Sequence, residues 1–368
     1  MLDFNDLNSI YQEDSQEPYP DFFEEWDDAL SGNRSPRFLD GEELCEIVEI
    51  YLEEGEDEKA RKTIHYALTF HPDDLDMISD ILLVLNDFEL WEDLLHLTDQ
   101  YIDKGDVWVD GHRLSALLHL GMEEDAFLCF QQLKKKHKSD KEDLEIIYQA
   151  MGEALVEVGL FDGTLDVMEE AIRLMGDQVD FYWLQLRALV YMENRELALS
   201  IASIIEKLSP MDGESWHRLG LIYSENLEEP EKAIDAFEFA ESLNYNDPDN
   251  HLKLIDLYEK YGIYHRALDK VKSYIHLYGE TSIINLLAAG ICSQAEWWNE
   301  ALRYVNAALR LEPDTSILYL YKSNFLYMLG EPQKAIWALE EGLQRTEDGE
   351  NELKAELEKL KEKYPDIE

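Results

Sequence analysis

Apolar residues along this chain fall three and four positions apart, the spacing that places them on one face of an α-helix. Leu44, Ile47, Val48 and Tyr51 set the pattern, and Ala60, Ile64 and Ala67 resume it after a break at Gly55. Similar pairs of stripes follow, through Leu114, Leu117 and Ala126, then Tyr148, Met151 and Leu155, and finally Tyr319, Leu326, Ala335 and Leu339. The pattern predicts helices in pairs. Pro72, Pro210 and Pro313 fall where the second helix of a pair should stop.

The pairs recur in phase. Starts at residues 41, 75, 107, 145, 179, 213, 248, 282 and 316 lie 34, 32, 38, 34, 34, 35, 34 and 34 residues apart. The fullest copy is Gly213 to Asp247, where Trp216, Leu219, Gly220 and Tyr223 precede Ala233, Phe237 and Ala240. The large residues fill the space between helices, and the small ones let backbones approach where helices cross. This unit resembles a tetratricopeptide (TPR) repeat, a helix–turn–helix motif with a period of roughly 34 residues. The resemblance covers residues 41–349. It implies an all-α, right-handed superhelical solenoid of about nine TPR-like repeats with terminal capping helices, since one unit cannot bury its apolar face alone. The copies vary. The second is degenerate, with Leu94 where a small residue belongs and Thr98 where an aromatic does. An insertion near Lys141 to Leu144 lengthens the helix that opens the fourth. The sixth carries one extra residue, which we place at Asn226–Pro230, in the turn between its helices.

The ends differ from the repeats. Residues 1–40 form an acidic tail broken by Pro18 and Pro20, with a loop at Ser31-Gly32-Asn33 and Pro36. Phe22, Phe23, Trp26 and Leu30 nevertheless share one face of a short helix. Three readings stand: the tail caps the first repeat, docks a partner, or blocks the groove. Residues 350–368 form a C-terminal capping helix, stopped near Pro365, whose narrow stripe is Leu353, Leu357 and Leu360.

Charge narrows the partners. Lys and Arg number 32 against 81 Asp and Glu, a formal net charge of −49 in 368 residues. Such a surface repels phosphate backbones and anionic lipid, so direct nucleic-acid binding and membrane insertion are not expected. It favours a protein partner with a basic surface, or serves solubility alone. Oligomeric state is not legible. The dense basic run Lys134-Lys135-Lys136-His137-Lys138 ends a predicted helix, where cations complement the dipole. Cys45, Cys129 and Cys292 lack C-x-x-C spacing and read as reduced thiols. The N-terminus lacks the basic and apolar regions of a signal peptide, and a cytoplasmic location is expected.

Catalysis is not expected. No H-E-x-x-H, paired-cysteine zinc pattern, Gly-rich phosphate loop or G-x-S-x-G elbow occurs, so no cofactor or metal is implied. His112 and His119 lie two helical turns apart without a third ligand, and read as surface histidines.

The resemblance to TPR proteins implies a concave groove lined by the first helices, with contacts at their second, fifth, ninth, twelfth and thirteenth positions. Read onto this chain, these give an acidic entrance at Glu42, Glu49, Asp76 and Asp87 and an apolar end at Ile283, Leu286, Gly290, Ile317, Leu320 and Met328. Candidate partner-binding residues are Trp108, Trp183, Arg187, Tyr191, His217, Asn324 and Tyr327. Trp183, Tyr191 and Tyr327 are the expected anchors, because large aromatics dominate binding energy; packing between repeats is the competing role for Trp183 and Tyr191. The Lys, Arg and Asn set of the carboxylate-clamping TPR subclass is replaced here by Glu49, Asp76, Leu221, Asp256 and Gly290, which argues against chaperone-tail binding. The expected function is a protein-interaction scaffold. An acidic assembly factor for a basic client and a regulatory subunit of an enzyme are the alternatives.

Overall fold

A computed structural model describes residues 19–32, 38–101, 106–346 and 350–365. The expectations at Pro18, Asn33 and Pro36 lie outside the described residues. The described elements are helical, and nine consecutive helical hairpins are present among them. The chain divides into two compact units, one ending at Pro210 and one starting at Met211.

The first unit holds five hairpins. Their helices are Gly41–Glu53 with Asp57–Phe70, Leu75–Asp87 with Trp91–Tyr101, Val107–His119 with Glu123–Lys136, Lys141–Glu157 with Phe161–Met175, and Val179–Tyr191 with Arg195–Leu208. The second unit holds four: Gly213–Leu221 with Pro230–Ser242, Pro248–Lys260 with Tyr264–Tyr278, Ser282–Gln294 with Trp298–Leu311, and Ser316–Met328 with Pro332–Arg345. A last helix, Glu350–Lys363, follows.

Each hairpin is built by the same local chemistry. Seven of the nine first helices are capped by a side chain that accepts a backbone N–H: Asp40, Asp74, Asp106, Asp140, Asp212, Asp247 and Thr281. These caps satisfy amides that the helix itself leaves unbonded. Part of the chain's acidity is therefore structural. The turn after each first helix contains one residue at positive φ, and the register is constant. It is Gly55, Gly121, Gly159, Gly262 and Gly330 in five repeats, but Glu89, Glu193, Glu228 and Glu296 in the other four. A non-glycine residue in this region costs about 1–2 kcal/mol. The turn persists at the glutamates because both helices pack on either side of it.

That register locates the two irregularities. Helix Lys141–Glu157 has 17 residues rather than 13, so the insertion lengthens the helix as expected. The extra residue of the sixth repeat is not in the turn, which corrects the placement at Asn226–Pro230. It is absorbed one turn earlier as a π-helical segment, Ile222–Asn226, where Leu227 N–H donates to the Ile222 carbonyl at 3.0 Å. Widening one turn of helix keeps Tyr223 buried and leaves the hairpin turn intact.

The core of each unit comes from the facing sides of the hairpins. Tyr51, Tyr223 and Tyr258 are fully buried at one repeat position, and Tyr148 and Tyr319 are fully buried at another, nearer the start of the first helix. Glycines mark the tightest approaches: a Cβ on Gly220 would lie 2.6 Å from the Phe237 ring, and one on Gly342 would lie 2.8 Å from Tyr319 Cβ. At the N-terminal side, helix Asp21–Leu30 lays Phe23 and Trp26 into the core of the first repeats, and Trp26 Nε1 donates to Thr63 Oγ1 at 2.8 Å. Asp27 accepts from Tyr51 and Lys59, both at 2.9 Å. These aromatics are thus consumed by packing, and Trp26 is satisfied on its polar edge as well. In the last helix, Leu353 and Leu360 are buried against the final hairpin, with Leu357 packed beside them.

Candidate partner-binding surface

The surface is built from the C-terminal ends of first helices in the first unit. Trp91 stacks on His119 with ring centroids 3.8 Å apart. His119 Nδ1 donates to the Ser115 carbonyl at 2.9 Å, which turns Nε2 toward Glu157, 3.6 Å away. One helical turn before Glu157 lies Glu153. Burial raises the Glu153 carboxyl, the nearby Glu157 adds to that, and Arg187 of the next repeat opposes it. Arg187 in turn is one turn from Tyr191, whose ring lies parallel to Phe161 at 5.3 Å. His119, Glu157, Glu153, Arg187 and Tyr191 therefore follow one another across three consecutive repeats, with charged groups flanked by aromatic rings.

The seven candidate residues are divided between the two units, four in the first and three in the second. Trp108 is 58% exposed in the first turn of its helix, where the Asp106 cap fixes the backbone. Trp183 is only 5% exposed, whereas Tyr191 on the same helix is 63% exposed and Arg187 is half-buried. In the second unit, His217 is 7% exposed. Its Nδ1 donates to Asn250 Oδ1 at 3.0 Å, and Asn250 Nδ2 donates to the Phe237 carbonyl at 3.1 Å. Asn324 is exposed. Tyr327 is half-buried beneath the last helix, with Lys363 Nζ 4.9 Å from its ring centroid and the Tyr364 ring 6.4 Å away. Glu157 stands at the thirteenth position of the fourth repeat, one that the TPR resemblance nominates, as Tyr191 does in the fifth. Phe161 was missed because it opens a second helix, outside those positions.

The basic run serves the fold. Lys134 pairs with Glu170 at 2.9 Å, and Lys136 reaches the buried Asp110 at 2.7 Å. His137 lies between Asp110 and Asp143, 3.4 and 2.6 Å away. The run thus holds neighbouring repeats together by charge-assisted contacts. Cys45 and Cys292 are buried, Cys129 is half-buried, and all three are unpaired. Burial pushes the Cys45 thiol up to about 12 and the Cys292 thiol up to about 11. Among the described residues no group of three or more His, Cys, Asp or Glu is placed to hold a metal ion. No described helix is long and apolar enough to cross a membrane.

No protein-family model matches the chain. A stretch of 175 residues is 27% identical to anaphase-promoting complex subunit 7 of Dictyostelium discoideum, covering 48% of this chain and 30% of that protein. The chain thus spans less than a third of that relative's length. Solved structures similar to it include a tetratricopeptide repeat protein from Parabacteroides merdae, at 15% identity and a TM-score of 0.38, over 73% of this chain and 98% of that one. YrrB, described as a TPR protein with an unusual peptide-binding site, aligns at 17% identity and a TM-score of 0.40, over 52% and 97%. The APC/C hetero-tetramer Cut9–Hcn1 aligns at 16% identity and a TM-score of 0.35, over 92% and 66%. Nine phased hairpins, each turning at one left-handed residue in constant register and packed through the small and large residues of the template, give this chain an all-α helical-hairpin repeat fold of the tetratricopeptide kind.

Proposed function

We propose that this chain is a non-enzymatic scaffold that holds a peptide or helix of a protein partner against the first helices of its repeats. The observation that carries the reading is the run His119, Glu157, Glu153, Arg187 and Tyr191, which presents an exposed ring beside fixed charges of both signs. Tyr191 is the anchor, held in place by Phe161, and such rigid aromatics contribute contact area at low entropic cost. Trp108 extends the contact within the same unit and Trp183 shapes the surface from beneath, while in the second unit His217, Asn324 and Tyr327 are proposed as partner contacts of that unit alone. The net charge of −49 steers basic partners toward it. The three unpaired thiols keep a cytoplasmic setting part of this proposal.

The test is capture from native lysate by the full chain, by Tyr191→Ala and by a chain beginning at Gly41, at low and high salt. A partner that survives high salt and is lost with Tyr191→Ala supports the groove scaffold. Capture that disappears with salt but ignores Tyr191 replaces it with the acidic assembly-factor reading. Truncation that raises affinity assigns the tail a blocking role. A second reading, a subunit within a larger protein assembly, draws on the similarity of 175 residues to anaphase-promoting complex subunit 7. It predicts co-elution with several subunits rather than with one partner.

A further inference from the structure

The two helices Tyr264–Tyr278 and Trp298–Leu311 reverse the charge of the rest of the molecule. They carry five Lys and Arg (Arg266, Lys270, Lys272, Arg303 and Arg310) against two acids, Asp269 and Glu300, in a chain whose net charge is −49. Three of the five are engaged: Arg266 with Glu238, Lys270 with Glu241, and Lys272 with Asp269 at 2.8 Å. Arg303 pairs with no carboxylate among the described residues. Its guanidinium instead lies over the Tyr304 ring, 5.1 Å from the centroid.

Arg303 opens into a cleft of about 390 Å³ between these second helices. The floor is Leu268 and Tyr304, both buried, and one wall is Trp297, whose ring packs on His265 at 4.5 Å. Lys272 and Glu300 complete the lining. The planar fork of an arginine held on an aromatic face is preorganised for a carboxylate, which it binds through two parallel N–H donors. Glu300 sets the limit on charge: with one free guanidinium and one shared lysine, the cleft balances a single negative charge better than a doubly charged phosphoryl group. Leu268 and Trp297 add an apolar seat beside it.

We propose that this cleft binds an acidic peptide of a partner protein, with a Glu or Asp carboxylate on Arg303 and Lys272 and an adjacent aliphatic side chain on Leu268 and Trp297. The site lies on second helices and takes a ligand opposite in charge to the basic partner proposed above, so it is a separate binding function. At about 0.15 M ionic strength the Debye length is about 8 Å, so the remote acidic surface is largely screened while the cations within the cleft are not.

The probe is a fluorescein-labelled peptide of sequence EELEE, measured by anisotropy with the full chain at that ionic strength, against QQLQQ and a version with phosphoserine in place of the second Glu. EELEE should bind, QQLQQ should bind at least about tenfold more weakly, and Arg303→Ala should weaken EELEE by a similar factor. Arg310→Ala, two helical turns away and outside the cleft, should leave it unchanged. Glu300→Gln should tighten it, a gain that damage to the fold does not produce. Equal binding of EELEE and QQLQQ, or indifference to Arg303→Ala with the circular dichroism unchanged, overturns the proposal. So does preferential binding of the phosphopeptide, or concentration-dependent self-association that is lost with Arg303→Ala, which would make a second copy the occupant. Binding by the Tyr191→Ala chain should equal wild type, which separates failure of this site from failure of the scaffold surface.

Discussion

His217 and Asn250 join two consecutive repeats through a buried hydrogen bond of 3.0 Å, from Nδ1 of one first helix to Oδ1 of the next. Asn250 passes the contact on to the Phe237 carbonyl at 3.1 Å. The pair therefore ties both helices of the sixth repeat to the first helix of the seventh. Removing either side chain strands a buried polar partner, at a cost of about 1–3 kcal/mol. His217→Ala and Asn250→Ala should each lower stability by that amount in denaturant titrations. The double variant should lose about 0.5–3 kcal/mol less than their sum, because the residues share one interaction. Strict additivity would show that the bond contributes nothing.

The left-handed turn makes a prediction in two directions. Glu193 sits at φ 55° where five other repeats have glycine. Glu193→Gly should stabilise the chain by about 1 kcal/mol, relief of the left-handed strain being partly offset by the greater entropy of unfolded glycine. Gly121, at φ 71° with open space over its Cα, should show the reverse, and Gly121→Ala should destabilise by about 1–2 kcal/mol. Thermal unfolding midpoints check both signs.

Two helical glycines should respond in opposite ways to alanine. Gly220 lies against the Phe237 ring, so an added methyl must displace a packed aromatic, and Gly220→Ala should destabilise by about 1–3 kcal/mol. Gly290 sits mid-helix with nothing within 4 Å of where a Cβ would be. Gly290→Ala should stabilise by about 1 kcal/mol, the ordinary helix-propensity gain. A loss of stability there would mean that Gly290 packs against something not accounted for by its own surroundings.

Glu259 links the seventh and eighth repeats by accepting from Gln294 Nε2. Burial, with Asp256 adding like-charge repulsion, pushes its carboxyl up from 4.5 to about 7. Between those values the folded chain holds more protons than the unfolded one, so this group's contribution to stability falls as pH rises through the window and levels off above it. Glu259→Gln should be more stable than wild type at pH 8, and the difference should vanish near pH 4. A pH-independent difference between the two chains would remove the titration from the explanation.

The repeat phase was legible because helix periodicity and turn spacing are local. A stripe at Leu44, Ile47, Val48 and Tyr51 specifies a helix face whatever surrounds it. Phase also carries information that no single residue does: Glu89, Glu193, Glu228 and Glu296 have no turn signature, yet their register with the five glycines places them at positive φ. The extra residue of the sixth repeat was countable from the sequence but not placeable, because a π-helical widening and a longer turn add the same residue.

What a helix face meets was decided only by tertiary packing. Trp183 and Tyr191 lie two turns apart on one helix and look alike in the sequence, but one is covered and the other is exposed against Phe161. The candidate histidine at 217 is buried because Asn250 of the next repeat offers it an acceptor. The basic run is absorbed because Asp110, Asp143 and Glu170 converge on it from other helices. In each case periodicity fixes the direction of a side chain relative to its own helix. Its burial and its charge partner depend on which residue a neighbouring repeat brings opposite, and that is a property of the stack.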